Sequence, residues 1–277
     1  MSVAIDTTLV PQYFQRLPVR VHKDEALIAR GSNAALKTFK RLIPEKDTRS
    51  HAVGPHGDAY AICYPEGKTE KVKLDAEIIE ALWMYDDIIE ALPQEEAALE
   101  HATAKQMLSG NKNGTVSGKK SLMTSIFRDA ADRMTALDPK GSPWVIETLK
   151  QYLTECDGND RQDNFERGLP VAYGRVMALT NDYWSWEMEK KEAVDRSAGI
   201  RNAIPVVMKQ HSLSEKDAKI VVKGYTVEAE EAMWKLALDL KKTGSENVKN
   251  YVDAMLLLMG GSGFWSAAAP RYNEAQK

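Results

Sequence analysis

Only two cysteines occur in the 277 residues, Cys63 and Cys156, with no CxxC pair and no histidine ladder beside them. That pattern supports neither a disulfide framework nor a zinc centre, and it fits a reducing, cytoplasmic setting. No run of 18 apolar residues appears, and the first residues carry no basic stretch leading into an apolar one. Neither stable membrane insertion nor a secretory leader is therefore expected. Charge of one sign is also scarce, since 37 basic against 40 acidic residues leave a net −3. That balance gives no general drive toward nucleic acid. The five histidines are scattered without HxxxH spacing, and no GxGxxG or P-loop is present, which removes the usual zinc and nucleotide signatures.

β-Branched alternation bounded by turns is almost missing, whereas apolar residues recur at helical spacing along most of the chain. The pattern predicts an all-α protein, read as one domain over residues 1–277 with roughly nine or ten helices. Helices are expected from Lys23 to about Leu42, broken near Gly31, and from Lys73 to about Leu92, where Pro93 ends the run. Others are expected at Gln94–Leu108, Lys119–Leu137, Pro143–Cys156, Pro170 to about Glu192, Ser214 to about Lys242 and Glu246 to about Ala269. The Gly- and Pro-bearing stretch His51–Gly67 reads as a connector.

Two acidic clusters interrupt this apolar and aromatic background. The first is Asp86, Asp87 and Glu90; the second is Asn181, Asp182, Ser185, Glu187 and Glu189. On a helix Asp86 and Glu90 share a face, and Asn181, Ser185 and Glu189 at i, i+4 and i+8 form one polar stripe. An amide oxygen, a hydroxyl and a carboxylate are hard oxygen donors of the kind Mg²⁺ takes. Plainer readings stand beside these. The first cluster could be a solvated helix end, and Thr180, Asn181 and Asp182 could simply cap a helix.

Taken together, the residues resemble the class I terpene synthases, most nearly the cyclase part of fungal chimeric prenyltransferase–terpene synthases. Asp86, Asp87 and Glu90 match a DDxx(D/E) motif. Asn181, Asp182, Ser185 and Glu189 match NDxxSxx(K/R)E, and Arg271-Tyr272 matches a late Arg-Tyr pair. The resemblance implies a helical bundle around a central cavity and three Mg²⁺ ions, with Asp86 binding two of them and Asn181, Ser185 and Glu189 the third. It implies a linear prenyl diphosphate substrate of C15 to C25, with geranylgeranyl diphosphate the first expectation, and a separate or fused prenyltransferase as partner. Arg271 and Tyr272 would hold the diphosphate, a task that suits the guanidinium fork. Trp83, Tyr183, Trp186, Phe264 and Trp265 would wall the cavity and face developing positive charge. Lys190 and Arg175 are further substrate-binding candidates, and a homo-oligomer is compatible with the pattern.

Departures from the family pattern concern the segment between the clusters. Where relatives carry an arginine that senses diphosphate, the text Phe165–Tyr173 has Ala172, and only 95 residues separate positions 86 and 181. The chain reads as shortened between about 170 and 180. Met188 occupies the slot usually held by Lys or Arg. A cyclase is the expected activity, and a shortened homologue that binds an isoprenoid diphosphate or a partner without turnover is the alternative.

Overall fold

In the computed structural model, residues 2–42, 52–89, 92–110, 120–155, 169–196, 200 and 202–273 are described. Their architecture is all-α apart from one small antiparallel ribbon. The helices are α1 (Glu25–Leu42), α2 (Ala59–Cys63), α3 (Thr69–Ile89), α4 (Gln94–Leu108), α5 (Lys120–Leu137) and α6 (Ser142–Glu155). They continue with α7 (Leu169–Arg196), α8 (Ala203–His211), α9 (Glu215–Thr243), α10 (Glu246–Ala268) and the single turn α11 (Pro270–Asn273). The ribbon pairs β1 (Ser2–Ala4) with β2 (Arg20–His22), Val3 opposite Val21. The chain gathers into two compact units, one of residues 1–26, 52–68 and 165–277, the other of residues 27–51 and 69–164.

In the unit of residues 27–51 and 69–164, apolar faces of α1, α3, α4, α5 and α6 close over Phe39, Met84, Tyr85, Met107, Phe127 and Leu153. Gly31 does not break α1, contrary to the sequence expectation, because the helix runs unbroken through it. The residue is small for a packing reason: a Cβ there would lie 2.1 Å from the carbonyl oxygen of Lys73 on α3. Helix interiors tolerate glycine at a cost when close approach demands it.

Asp75, on the same α3, is half-buried, and loss of hydration pushes its carboxyl up to about 6, with Lys71 only partly opposing this. The sign follows from proton binding: between about pH 4 and pH 6 the folded protein holds more protons than the unfolded one, so stability falls as pH rises through that window. Asp75→Asn is expected to raise the melting temperature at pH 7 and to flatten that slope. Melting curves at pH 4.5 and 7 check it, and an unchanged slope would refute the assignment.

The other unit is built on α7, α9 and α10. Val176, Met233, Val252, Leu256 and Met259 fill one core, and Trp186, Ile204, Val207, Ala218 and Val222 fill a second under α8. Ser214 caps α9 by accepting from Asp217 N–H, and its hydroxyl donates to Asp217 Oδ2 at 2.6 Å. Gly260 and Gly261 let α10 touch backbone directly, since a Cβ would come within 2.3 Å of Pro18 O and 2.4 Å of Ile62 O. Near the ribbon, buried His22 accepts from Asp24 N–H at Nδ1, which leaves Nε2–H to donate to Gly67 O.

At the C-terminal end of α10, exposed helix carbonyls must find partners. Gln12 Nε2 donates to Ala267 O at 2.8 Å, and Asn273 Nδ2 donates to Ala267 O and Ala269 O at 3.0 and 2.9 Å. These bonds fix the corner between α10 and α11, and the corner carries Arg271 and Tyr272.

Candidate functional site

Asn181 lies well inside α7, twelve residues past Leu169, so neither it nor its neighbours cap that helix. The capping alternative is thereby removed. Asp182 caps a different helix, its Oδ2 accepting from Ala203 N–H of α8 at 2.8 Å. Burial holds the Asp182 carboxyl above its usual range, opposed by that bond and reinforced by the nearby charge of Glu189.

The stripe itself is continuous. Asn181 is exposed, Ser185 is buried and Glu189 is half-buried. Ser185 Oγ sits 2.7 Å from Asn181 O and 2.5 Å from Glu189 Oε1. A hydroxyl has one proton, so it serves one acceptor at a time and can turn to the other. Glu189 Oε2 accepts from Asn202 Nδ2 at 3.1 Å.

Tyr272 joins this stripe through packing of α11 on α7. Burial lifts its phenol above the ordinary range, Glu189 adds to the effect, and Arg271 and a side-chain hydrogen bond with Asn181 oppose it. The Tyr272 ring meets Trp265 edge-on, with centroids 5.9 Å apart, and Trp265 Nε1 donates to Ala52 O at 3.1 Å. Arg271 Nε is buried with no hydrogen-bond partner, a costly state for a cationic donor unless an anion completes it. Oxygen donors on one helix, with Tyr272 hydrogen-bonded to Asn181, and an unsatisfied nitrogen on the adjacent Arg271 suit a cation and an anion bound together.

The other candidates are dispersed. Lys190 Nζ bridges Glu187 Oε2 at 3.0 Å and Glu215 Oε1 at 2.8 Å, 5.5 Å from the centroid of Trp186. It thus serves the α7–α9 contact, and the Glu215 bond is the main reason its ammonium pKa is raised. Arg175 is exposed and stands about 120° around the helix from Asn181. Trp186 is buried in the core beneath α8. Phe264 is fully buried among Val10, Val19, Ile62 and Ala267, with Tyr13 edge-on at 5.5 Å. Tyr183 packs edge-on against Phe14 at 5.0 Å and against Trp184 at 4.9 Å. Trp83 is 46% exposed on α3.

In the first cluster, Asp86 is exposed and Asp87 follows it near the C-terminal end of α3, whose last turn holds no basic residue. Glu90 lies outside the described residues. Among the described residues no helix is long and apolar enough to cross a membrane. Sequence reasoning missed Asn202. An Asn directly before the run Ala203–Met208 was the signal, since that is where a helix cap belongs.

A family model described as "Terpene synthase family 2, C-terminal metal binding" matches residues 161–232, the span that holds the whole Asn181–Glu189 stripe and Asn202. The chain is thus similar to the class I terpene synthases in this metal-binding segment. Similar full-length terpene synthases include the bifunctional sesterterpene synthase astC of Talaromyces wortmannii, 24% identical over 93% of this chain and 40% of that protein. Phomopsene synthase of Phomopsis amygdali is 23% identical over 94% of the chain and 42% of the relative. The chain thus spans about two-fifths of the length of these relatives. The alignment with astC runs over 302 positions, more than the chain's 277 residues, so that relative holds segments without a counterpart here. Among solved terpene synthase structures, germacradien-4-ol synthase from Streptomyces citricolor superposes with a TM-score of 0.70 at 16% identity, covering 92% of this chain and 97% of that one. Aristolochene synthase from Penicillium roqueforti gives 0.65 at 14% identity, covering 91% and 97%. The terpene synthase fold is therefore all-α here as in its neighbours.

Proposed function

We propose that this chain is a Mg²⁺-dependent terpene cyclase that ionises a linear all-trans prenyl diphosphate, geranylgeranyl diphosphate first among C15 to C25 chains, and releases diphosphate with a cyclic hydrocarbon or alcohol. The observation that carries the reading is the meeting of the Asn181, Ser185 and Glu189 stripe with Tyr272, next to which Arg271 keeps a buried, unsatisfied Nε. Asn181, Ser185 and Glu189 would hold one ion and Asp86 two more, with Asp87 and Glu90 as further candidate ligands. Bound Mg²⁺ supplies Lewis-acid neutralisation of the departing diphosphate.

The chain's own residues would do the rest. When Ser185 offers its lone pair to a cation, its proton turns to Asn181 O, so the hydroxyl ligates without ionising. Arg271 and Tyr272 donate to diphosphate oxygens, which gain charge as the C–O bond breaks and its electron pair leaves with them. Tyr183 and Trp265 offer aromatic faces to the allylic cation. The relatives named bifunctional suggest a prenyltransferase, fused or separate, as the source of substrate.

A second reading, binding without turnover, draws on Ala172. It is half-buried against the α7–α9 core where relatives would present an arginine, and it cannot donate to a diphosphate. Incubation with farnesyl, geranylgeranyl and geranylfarnesyl diphosphates, with Mg²⁺ or with EDTA, decides between the two. Release of inorganic diphosphate and of extractable terpenes is expected with Mg²⁺ alone. Saturable binding with neither product would establish the second reading instead.

A further inference from the structure

Asn202 is only 4% exposed and sits in extended backbone directly before α8. Both ends of its amide are engaged. Oδ1 accepts from Ile204 N–H at 2.9 Å, so the amide orientation is fixed by chemistry. Nδ2 must then face the opposite side, where it donates to Asp182 O at 2.9 Å and to Glu189 Oε2 at 3.1 Å.

The second anchor is Asp182, which holds Ala203 N–H from one turn of α7, while Asn202 holds Glu189 two turns further on. The start of α8 is therefore clamped across the stretch of α7 that bears the stripe. Glu189 needs such support. It is half-buried, and a glutamate has three rotatable bonds to restrain before its carboxylate points one way.

We propose that Asn202 is a positioning residue for Glu189. Its amide fixes the carboxylate plane by holding Oε2, so that Oε1, beside Ser185 Oγ, is the oxygen presented to a divalent cation accompanied by diphosphate. This rests on the metal reading of the stripe given above. Partners that orient a ligating carboxylate typically change metal affinity about 10- to 100-fold when removed.

A cap and a positioning donor can be separated, because serine caps helices about as well as asparagine but is too short to reach Glu189. The test uses the whole chain, with Mn²⁺ and inorganic diphosphate as the probe. Mn²⁺ binding is followed by electron paramagnetic resonance, and melting temperature is followed in parallel. Asn202→Ser is expected to bind Mn²⁺ in the presence of diphosphate at least about tenfold more weakly than the parent while keeping most of its melting temperature. Asn202→Ala is expected to lose affinity by the same factor and to melt lower than the serine variant. If the parent binds and the serine variant binds equally well, the positioning role is overturned and the metal site stands. If the parent takes up no Mn²⁺ with diphosphate, the metal reading falls and this inference falls with it.

Discussion

Asn181→Ala is expected to lower Mg²⁺-dependent diphosphate release by about 10³-fold, the scale seen when one preorganised electrostatic contact to the reacting charge is removed. The far-ultraviolet helical signal should remain at the parent level. Asn181 is exposed and lies outside the apolar clusters that hold α7, so its truncation opens no core cavity. What it removes is an oxygen of the stripe and the side-chain bond to Tyr272. On the proposed mechanism both losses would act on the same ligand, one through the cation and the other through the diphosphate. Turnover within a few-fold of the parent, measured at saturating Mg²⁺, would remove Asn181 from the site and with it the one-helix ligand set. Asp86→Ala should fall in the same direction.

The largest effect on stability is expected from a single added methyl group, Gly31→Ala. In an ordinary helix interior this change stabilises by about 1 kcal/mol. Here the new Cβ would lie 2.1 Å from Lys73 O, a backbone atom of α3 that cannot swing away as a side chain could. Either α1 and α3 separate, which loosens the packing of Ala35, Phe39, Ala81 and Met84, or the helices bend. Overpacking of this kind costs about 3 kcal/mol, enough for a fall of about 5 °C in melting temperature at this chain length. A urea midpoint at or above the parent's would show that the two backbones do not touch.

The same glycine shows what a sequence leaves unread. As a string, Gly31 inside an amphipathic run looks like a break, because its cost to a helix is local and visible, while the Lys73 backbone it admits is 42 positions away. Helices with strong periodicity and sharp ends were legible: α4 runs over Gln94–Leu108 as expected, α10 ends one residue early, and α7 differs only at its ends. Helix α8 was not legible. It is nine residues long and carries Pro205 in its first turn, where proline is tolerated but reads as a stop. The three-residue strands were too short to show alternation.

Within the site, the i, i+4, i+8 stripe was legible because helix geometry alone aligns it. The meeting of the stripe with Tyr272 depends on the α10–α11 corner, held locally by Asn273 and from a segment 255 positions away by Gln12. The aromatic residues were least legible. Tryptophan and phenylalanine serve core, surface and binding wall alike, and here Phe264 fills a core, Trp83 is half in solvent, and Trp265 supports Tyr272 from the side.

Glu189 has a donor at each oxygen, Ser185 on one side and Asn202 on the other. Both oxygens are thus hydrogen-bonded before any cation arrives, and a metal ion would take the place of one hydrogen bond rather than fill a hole. On the proposed metal reading, folding and metal loading would be separate events in this helix: the ion would be a passenger of α7 and not its keystone, unlike the ions of small zinc domains that collapse without them. Metal-free protein should then remain a sound reference state, in which changes at the stripe are read without confusion from unfolding.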